Sequence, residues 1–518
     1  MGNIQILAEP IIAVKPAAML RLPPTRAAAL LLGSLALAAA TGCRPQSEGD
    51  PKIVVIGNTS PRLADPAVGP LSQPDAVLLQ NVAQGLVAFD AGGNIVGGLA
   101  ERWNVSDDGL SYIFRLASTK WDDGRKVNAD QVARALRRVI ASRRNPLSDT
   151  LGAVTEVVSM TDRVVEIRLA APRPNLLAIL AQPEFAILRS GHGAGPFAID
   201  KNPRNDSFVH LTRKVALGDD EEERRDEVLL TSARSAEAIA TFVNGRAAVV
   251  LGGTFVDLPM TQRVKLARGA LRFDPVSGLF GLVPVRKDGD FDSAPLRRLL
   301  SEAIDRDAFV SALGVPGLTP RATVLEPGLD GMGAPVGPSW TGIAIGERRA
   351  SLAARASPLL PAGQAGKRPV VRIFLPDGPG ATLLLQELSV DWGALGLDVE
   401  RATTRSAADF ALVDRVAPSA SPAWFARNFR CTPIVPVCNP KVDELLDAAR
   451  QATVAAQRYA LIGQAAALID SDQLMIPLTA PVRWSLVSDR IFGFSGNRFA
   501  VHTLTNLADK PAAGTGAQ

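Results

Sequence analysis

The chain has 518 residues, enough for two or three domains, and its 47% hydrophobic and 21% charged content are ordinary globular values. Net charge is +4, and Lys15, Arg21, Arg26 and Glu9 near the amino terminus supply half of it. The rest carries too weak a bias for a nucleic-acid surface. The three histidines, His192, His210 and His502, fall in no HxxxH or HExxH spacing, and no GxSxG occurs, so nothing points to a metal site or a hydrolase.

Residues 19–43 read MLRLPPTRAAALLLGSLALAAATGC. Arg21 and Arg26 precede an apolar stretch at 27–40, which has signal-peptide length and is short for a membrane span. It closes on Ala40-Thr41-Gly42-Cys43, and small residues before a cysteine resemble the lipobox that bacteria cleave once lipid is attached. An ordinary signal peptide and a short membrane anchor are the other readings. Residues 1–18 add nothing to this pattern, so translation is expected to start at Met19, and residues 43–51 are expected to be a polar tether. The remaining cysteines, Cys431 and Cys438, share a loop with Pro433, Pro436 and Pro440. In an oxidising envelope this even pair is expected to be joined; two buried free thiols are the alternative. Closing so short a loop is worth about 2 kcal/mol.

Residues 52–57 read as a strand, 58–70 as a loop that holds Thr59 and Ser60, and 73–85 as a helix. Residues 85–116 read GLVAFDAGGNIVGGLAERWNVSDDGLSYIFRL. Turn residues at 90–94 and 106–109 separate strands, and 111–116 alternates polar with apolar as a half-buried strand does. KWDDGRKVNADQVARAL follows at 120–136 and enters an amphipathic helix at 129–140. This wording closely resembles the signature of the solute-binding family that serves dipeptide, oligopeptide and nickel ABC importers. A second stretch, PLRRLLSEAIDRDAFVSAL at 295–313, is similar to a helix pair of the same family. Asp292 or Ser293 is its expected cap, and Asp305-Arg306-Asp307 the break between its helices.

Further along, 153–160 and 164–169 read as paired strands and 175–180 as a short helix. SGHGAGPF at 190–197 reads as a tight turn, since no Lys-Ser or Lys-Thr follows to make a phosphate cradle, and His192 has no obvious partner. The charge run DDEEERRD at 219–226 is expected to be a solvated loop. A strand, a helix at 235–244 with Ser235 as candidate cap, and a strand at 247–252 follow; the resemblance implies that the next loop, 253–256, reaches the ligand cleft. Residues 351–366 are expected to be weakly structured. Strand, helix and strand at 369–376, 381–395 and 397–402 imply a parallel pair. After Asp414 the chain reads RVAPSASPAWFARNF. Relatives that grip a peptide's amino terminus carry an Asp before the corresponding proline; here Ser421 precedes Pro422. A buried ammonium without a carboxylate is expensive, so amine recognition is in doubt. Two helices at 439–472, a returning strand at 473–488 and a polar tail complete the chain.

The resemblance implies an α/β two-lobe periplasmic binding protein, type II of the large cluster, with mixed sheets and two hinge strands. Lobe I is expected at 52–283 plus 483–508, lobe II at 284–482 and a disordered tail at 509–518, after a signal peptide at 1–42. The expected role is a substrate-binding lipoprotein of an ABC importer that holds a peptide or peptide-like solute and delivers it to the membrane permease. A non-transport sensor or chaperone-like protein of the envelope is the alternative. Thr59, Ser60, Thr254, Phe255, Asp414, Trp424 and Phe425 are the expected solute contacts, and Cys43 the lipidation site. No catalytic residue, metal or cofactor is expected, and nickel would find few histidines. The expected partners are the solute, permease subunits and the membrane through the lipid anchor, with no nucleic acid; the protein is expected to be a monomer.

Overall fold

Two mixed sheets carry the molecule, and each is assembled from segments far apart in sequence. The computed structural model describes residues 51–201, 207–216, 223–363, 366–505 and 507–509. The signal peptide, Cys43, all of the tether but Pro51, and the tail from 510 lie outside the described residues.

The first sheet has seven strands. Its order is Leu271–Phe273, Arg483–Val487, Val249–Thr254, Lys52–Ile56, Glu223–Ala233, Val209–Ala216 and Ala198–Ile199. Lys52–Ile56 is central and parallel to both neighbours, and its Ile53 and Val55 are fully buried, as expected of a strand covered on both faces. The second sheet has five strands, in the order Asp398–Arg401, Val370–Phe374, Phe410–Val416, Gly278–Pro284 and Ile476–Thr479. Val370–Phe374 and Asp398–Arg401 pair in parallel across the Pro379–Gly393 helix, as the strand–helix–strand pattern requires. A separate four-stranded antiparallel sheet, in the order Ala100–Val105, Ser111–Leu116, Val164–Leu169 and Val154–Thr161, packs under the Ala129–Ala141 helix around Phe114, Trp121, Val165 and Ile167. Asp90 closes the hairpin ahead of it by accepting the amides of Gly92 and Asn94, each at 2.9 Å.

The chain passes between the main sheets twice, through residues 274–277 and back through 480–482. The strands on either side of these passages pair antiparallel, Leu271–Phe273 with Arg483–Val487 and Gly278–Pro284 with Ile476–Thr479. The first passage therefore lies upstream of the expected boundary at 283, because all of Gly278–Pro284 pairs with Phe410–Val416. The expected single returning strand is broken at Pro481, whose ring nitrogen has no proton for a ladder. Gly278 holds φ at 152°, and a Cβ there would stand 2.1 Å from the Arg415 carbonyl oxygen. One core runs behind the passages: Phe255 meets Phe280 edge-on at 4.8 Å, and Phe280 stacks on Phe309 at 6.1 Å.

Three further expectations are corrected. Residues 223–226 of the charge run are the start of the Glu223–Ala233 strand, because Asp226 stands opposite Arg213 and pairs with it at 2.8 Å. The stretch from 351 is not weakly structured at its start: Ile345–Ala356 is a helix. Its Arg348 is buried, donating to the Glu302 carbonyl at 2.7 Å, while Arg355 grips the Glu302 carboxylate at 2.8 and 2.9 Å. His192 does have a partner, the carboxylate of Asp122.

Candidate binding cleft

A cleft lies between the two lobes, and residues of both line it. One part, about 460 Å³, is walled by Gln73, Val77 and Gln80 of the Gln73–Val82 helix and by residues 182–184 on one side. Arg483 and residues 499–502 complete that first-lobe wall, and residues 414–418 and Trp424 form the facing wall from the second lobe. A second part, about 710 Å³, shares Asp414, Arg415 and Trp424 with the first and adds Leu279, Val283, Leu412, Val437 and Leu474, with Arg405, Arg427 and Arg430 at its polar side. Both volumes lie within the range of small-molecule sites. Hydrogen bonds tie the lobes together across the cleft, among them Gln182 Nε2 to the Pro418 carbonyl at 3.0 Å, Arg427 Nη1 to the Asp149 carbonyl at 3.0 Å, and Arg458 Nη1 to the Pro172 carbonyl at 3.2 Å.

Asp414 and Arg415 lie near the end of the Phe410–Val416 strand. The Asp414 carboxylate is held by Arg483 Nη1 at 2.8 and 3.1 Å, which joins the second sheet to the first strand after the return passage. Burial pushes the Asp414 carboxyl up, against the opposing pull of Arg483. Among the described residues no carboxylate pairs with Arg415 within 4 Å; it donates to Asn428 Oδ1 and lies 5.8 Å over the Trp424 ring, and burial pulls its guanidinium down. Glu184, on the facing wall, has a carboxyl that burial pushes up.

Of the seven expected contacts, the structure brings Asp414 and Trp424 together. Trp424 lines both parts of the cleft though only 6% exposed, and Phe425 behind it is fully buried, edge-on at 5.1 Å. Phe425 packs edge-on against the Trp424 ring and lines neither part of the cleft. Phe255 is also fully buried, in the core behind the passages; the loop at 253–256 packs inward because Phe280 receives Phe255. The Thr254 hydroxyl faces Asp257 at 3.3 Å, and its carbonyl accepts the Trp484 indole at 2.8 Å. Thr59 and Ser60 are exposed and line neither part of the cleft; the Thr59 carbonyl accepts Ser232 Oγ at 2.7 Å. Sequence reasoning missed Arg415, Arg427 and Arg483. The available signal was the lack of any acidic residue in RVAPSASPAWFARNF beside its two arginines. Cys431 and Cys438 form a disulfide, Cα atoms 5.3 Å apart, in a loop whose Thr432, Ile434 and Val435 edge the larger cavity. Among the described residues no three His, Cys, Asp or Glu side chains gather as metal ligands, and no helix is long and apolar enough to cross a membrane.

Two α/β lobes, joined by two antiparallel passages and facing one cleft, define a two-lobe binding protein of the periplasmic type. Residues 94–430, well over half of the chain, match the family model described as bacterial extracellular solute-binding proteins, family 5 middle, and the chain belongs to that family. It is 24% identical over 489 residues to a probable di/tripeptide-binding protein 5 of Pseudomonas aeruginosa, covering 82% of this chain and 89% of that protein. With the dipeptide-binding protein DppE of Bacillus subtilis it shares 24% identity over 159 residues, 27% of this chain, and spans only 29% of that protein's length. Haemophilus influenzae OppA in complex with RPPGFSPFR shares the fold, with a TM-score of 0.73 at 17% identity, covering 90% of this chain and all of that one.

Proposed function

We propose that this protein is the substrate-binding component of an ABC importer, which takes a peptide or peptide-like solute between its lobes and presents it to the membrane permease. The observation that carries this reading is the cleft itself, lined from both lobes by Asp414, Arg415 and Trp424 on one side and the Gln73–Val82 helix on the other. A solute there touches both lobes only when they are closed, so it favours closure by its differential affinity. The permease reads the closed form. In this reading lobe I runs from 52 to the first passage at 274–277 and resumes at 483–508, and lobe II lies between the passages. Lipid on Cys43, after cleavage of the leader, keeps the monomeric protein at the outer face of the inner membrane or on the outer membrane.

Native mass spectrometry of the secreted protein purified from bacterial periplasm tests the reading. Bound mass that fragments into amino acids is expected, and Trp424→Ala should reduce affinity about tenfold through loss of one aromatic wall. A protein that emerges without ligand and takes up no member of a peptide library would refute it. The binding scaffold without transport is then favoured, consistent with Asp414 being already occupied by Arg483.

A further inference from the structure

A small annexe opens off the cleft where the two lobes meet. Its volume is about 80 Å³, and Thr150, Trp424 and Arg427 line both it and the larger cavity. Four arginines converge on it: Arg173 from the first lobe, and Arg427, Arg450 and Arg458 from three helices of the second. Among the described residues one carboxylate, Asp149, lies within 4 Å of them. Asp149 Oδ2 stands 3.8 Å from Arg427 and Oδ1 3.6 Å from Arg450, beyond hydrogen-bond reach, and the Asp149 side chain is 64% exposed. The next acid, Asp447, is taken by Arg430 at 2.7 Å. Arg173 Nη1 and Arg458 Nη1 both turn to the same Pro172 carbonyl, at 2.9 and 3.2 Å.

Arg458 is the most telling of the four. It is 8% exposed and lies in the first turn of the Ala455–Ser471 helix, where the helix dipole disfavours a cation. Among the described residues its Nε has no hydrogen-bond partner, and neither does Nε of Arg450. Buried donors are almost always satisfied, and buried guanidinium groups are normally paired. Burial and the three neighbouring arginines pull Arg173 down to about 10. Like charges in so small a space repel unless something negative sits between them.

We propose that this annexe is an anion subsite, which takes an acidic group, carboxylate or phosphate, between Arg173 of the first lobe and Arg427, Arg450 and Arg458 of the second. The inference rests on the reading of the cleft as a solute site and names a property of its solute: an acidic substituent that reaches past Trp424. A group held there contacts both lobes, so it adds to closure. A free anion would meet the same arginines, and the test separates the two sources.

The test uses the secreted protein and calorimetry with three probes: peptides carrying Asp or Glu, the same peptides with Asn or Gln, and inorganic phosphate alone. Arg173→Gln is the first variant and Arg450→Gln the second, since both residues are partly exposed; thermal melts establish that each folds. Wild type should bind acidic peptides roughly tenfold or more tightly than their amides, and both variants should abolish that preference while neutral peptides keep their affinity. Phosphate that binds wild type, fails to bind the variants and competes with acidic peptides would assign the subsite to the solute's own acidic group. Phosphate that binds beside the peptide without competing would assign it to a free anion. Equal affinity for acidic and amide peptides, together with no phosphate binding that depends on Arg173, overturns the proposal. If no peptide binds at all, the peptide reading of the cleft fails, and phosphate binding lost in Arg173→Gln still decides the subsite.

Discussion

Replacing Arg483 by Met would leave the Asp414 carboxylate in the cleft without its counter-charge. Both side chains are largely withdrawn from water, 18% exposed for Arg483 and 16% for Asp414. Removing one partner of a fully buried pair costs about 3–5 kcal/mol, and the residual exposure here reduces that to about 2–3 kcal/mol. The cost should depend on pH in a definite direction. Burial already raises the Asp414 carboxyl, and without Arg483 it rises further. A raised carboxyl contributes its stability below the unfolded value of 3.8 and loses it as pH climbs through the folded value. The loss in Arg483→Met should therefore be larger at pH 8 than at pH 5. The double variant with Asp414→Asn should recover most of the loss, since an amide needs no counter-charge. Urea unfolding of the wild type, both single variants and the double variant at the two pH values measures this. An identical loss at pH 5 and pH 8, or a double variant no more stable than Arg483→Met, would mean that Arg483 acts only through packing.

Asp470 is pushed up to about 7 by burial, opposed by the Val324 amide it accepts at 2.8 Å. Its contribution is full below 3.8 and is lost as pH rises toward 7, so Asp470→Asn should stabilise the protein at pH 8, by at most about 4 kcal/mol, and flatten the pH profile of unfolding. Replacing Cys431 and Cys438 by Ser should cost about 2 kcal/mol by equilibrium unfolding, and should also weaken solute binding because the loop they close edges the cleft. Phe255→Ala should cost about 3–5 kcal/mol in the same assay and leave solute affinity unchanged once folding is accounted for. A loss of affinity without a loss of stability would return Phe255 to the site.

Local chemistry determined much of this protein. The hairpin at Asp90 and the capped, amphipathic helix at Ala129–Ala141 follow from residues close in sequence, and the strand–helix–strand run at 370–401 carries its parallel pairing in its own pattern. The hairpin and the helix also carry wording that resembles the family's. Asp414 was legible because it stands in a segment with no other acid, and Trp424 because it is the large aromatic beside it.

Only the tertiary structure decided the rest. Phe255 and Phe425 read as cleft aromatics, but an aromatic ring goes wherever the most apolar surface can be buried, and for both that is the core. Strand Gly278–Pro284 is apolar throughout, so its sequence suits either sheet; pairing with Phe410–Val416 put it in the second. Glu223 to Asp226 became strand because Arg213 stood opposite Asp226 and Lys214 reached Glu223 from the neighbouring strand. The charge of the cleft was the least legible feature of all. Arg173, Arg427, Arg450 and Arg458 are spread over almost three hundred residues, and each alone reads as a solvated surface cation. Charge acts over distance in space, so their sum exists only once both lobes stand together.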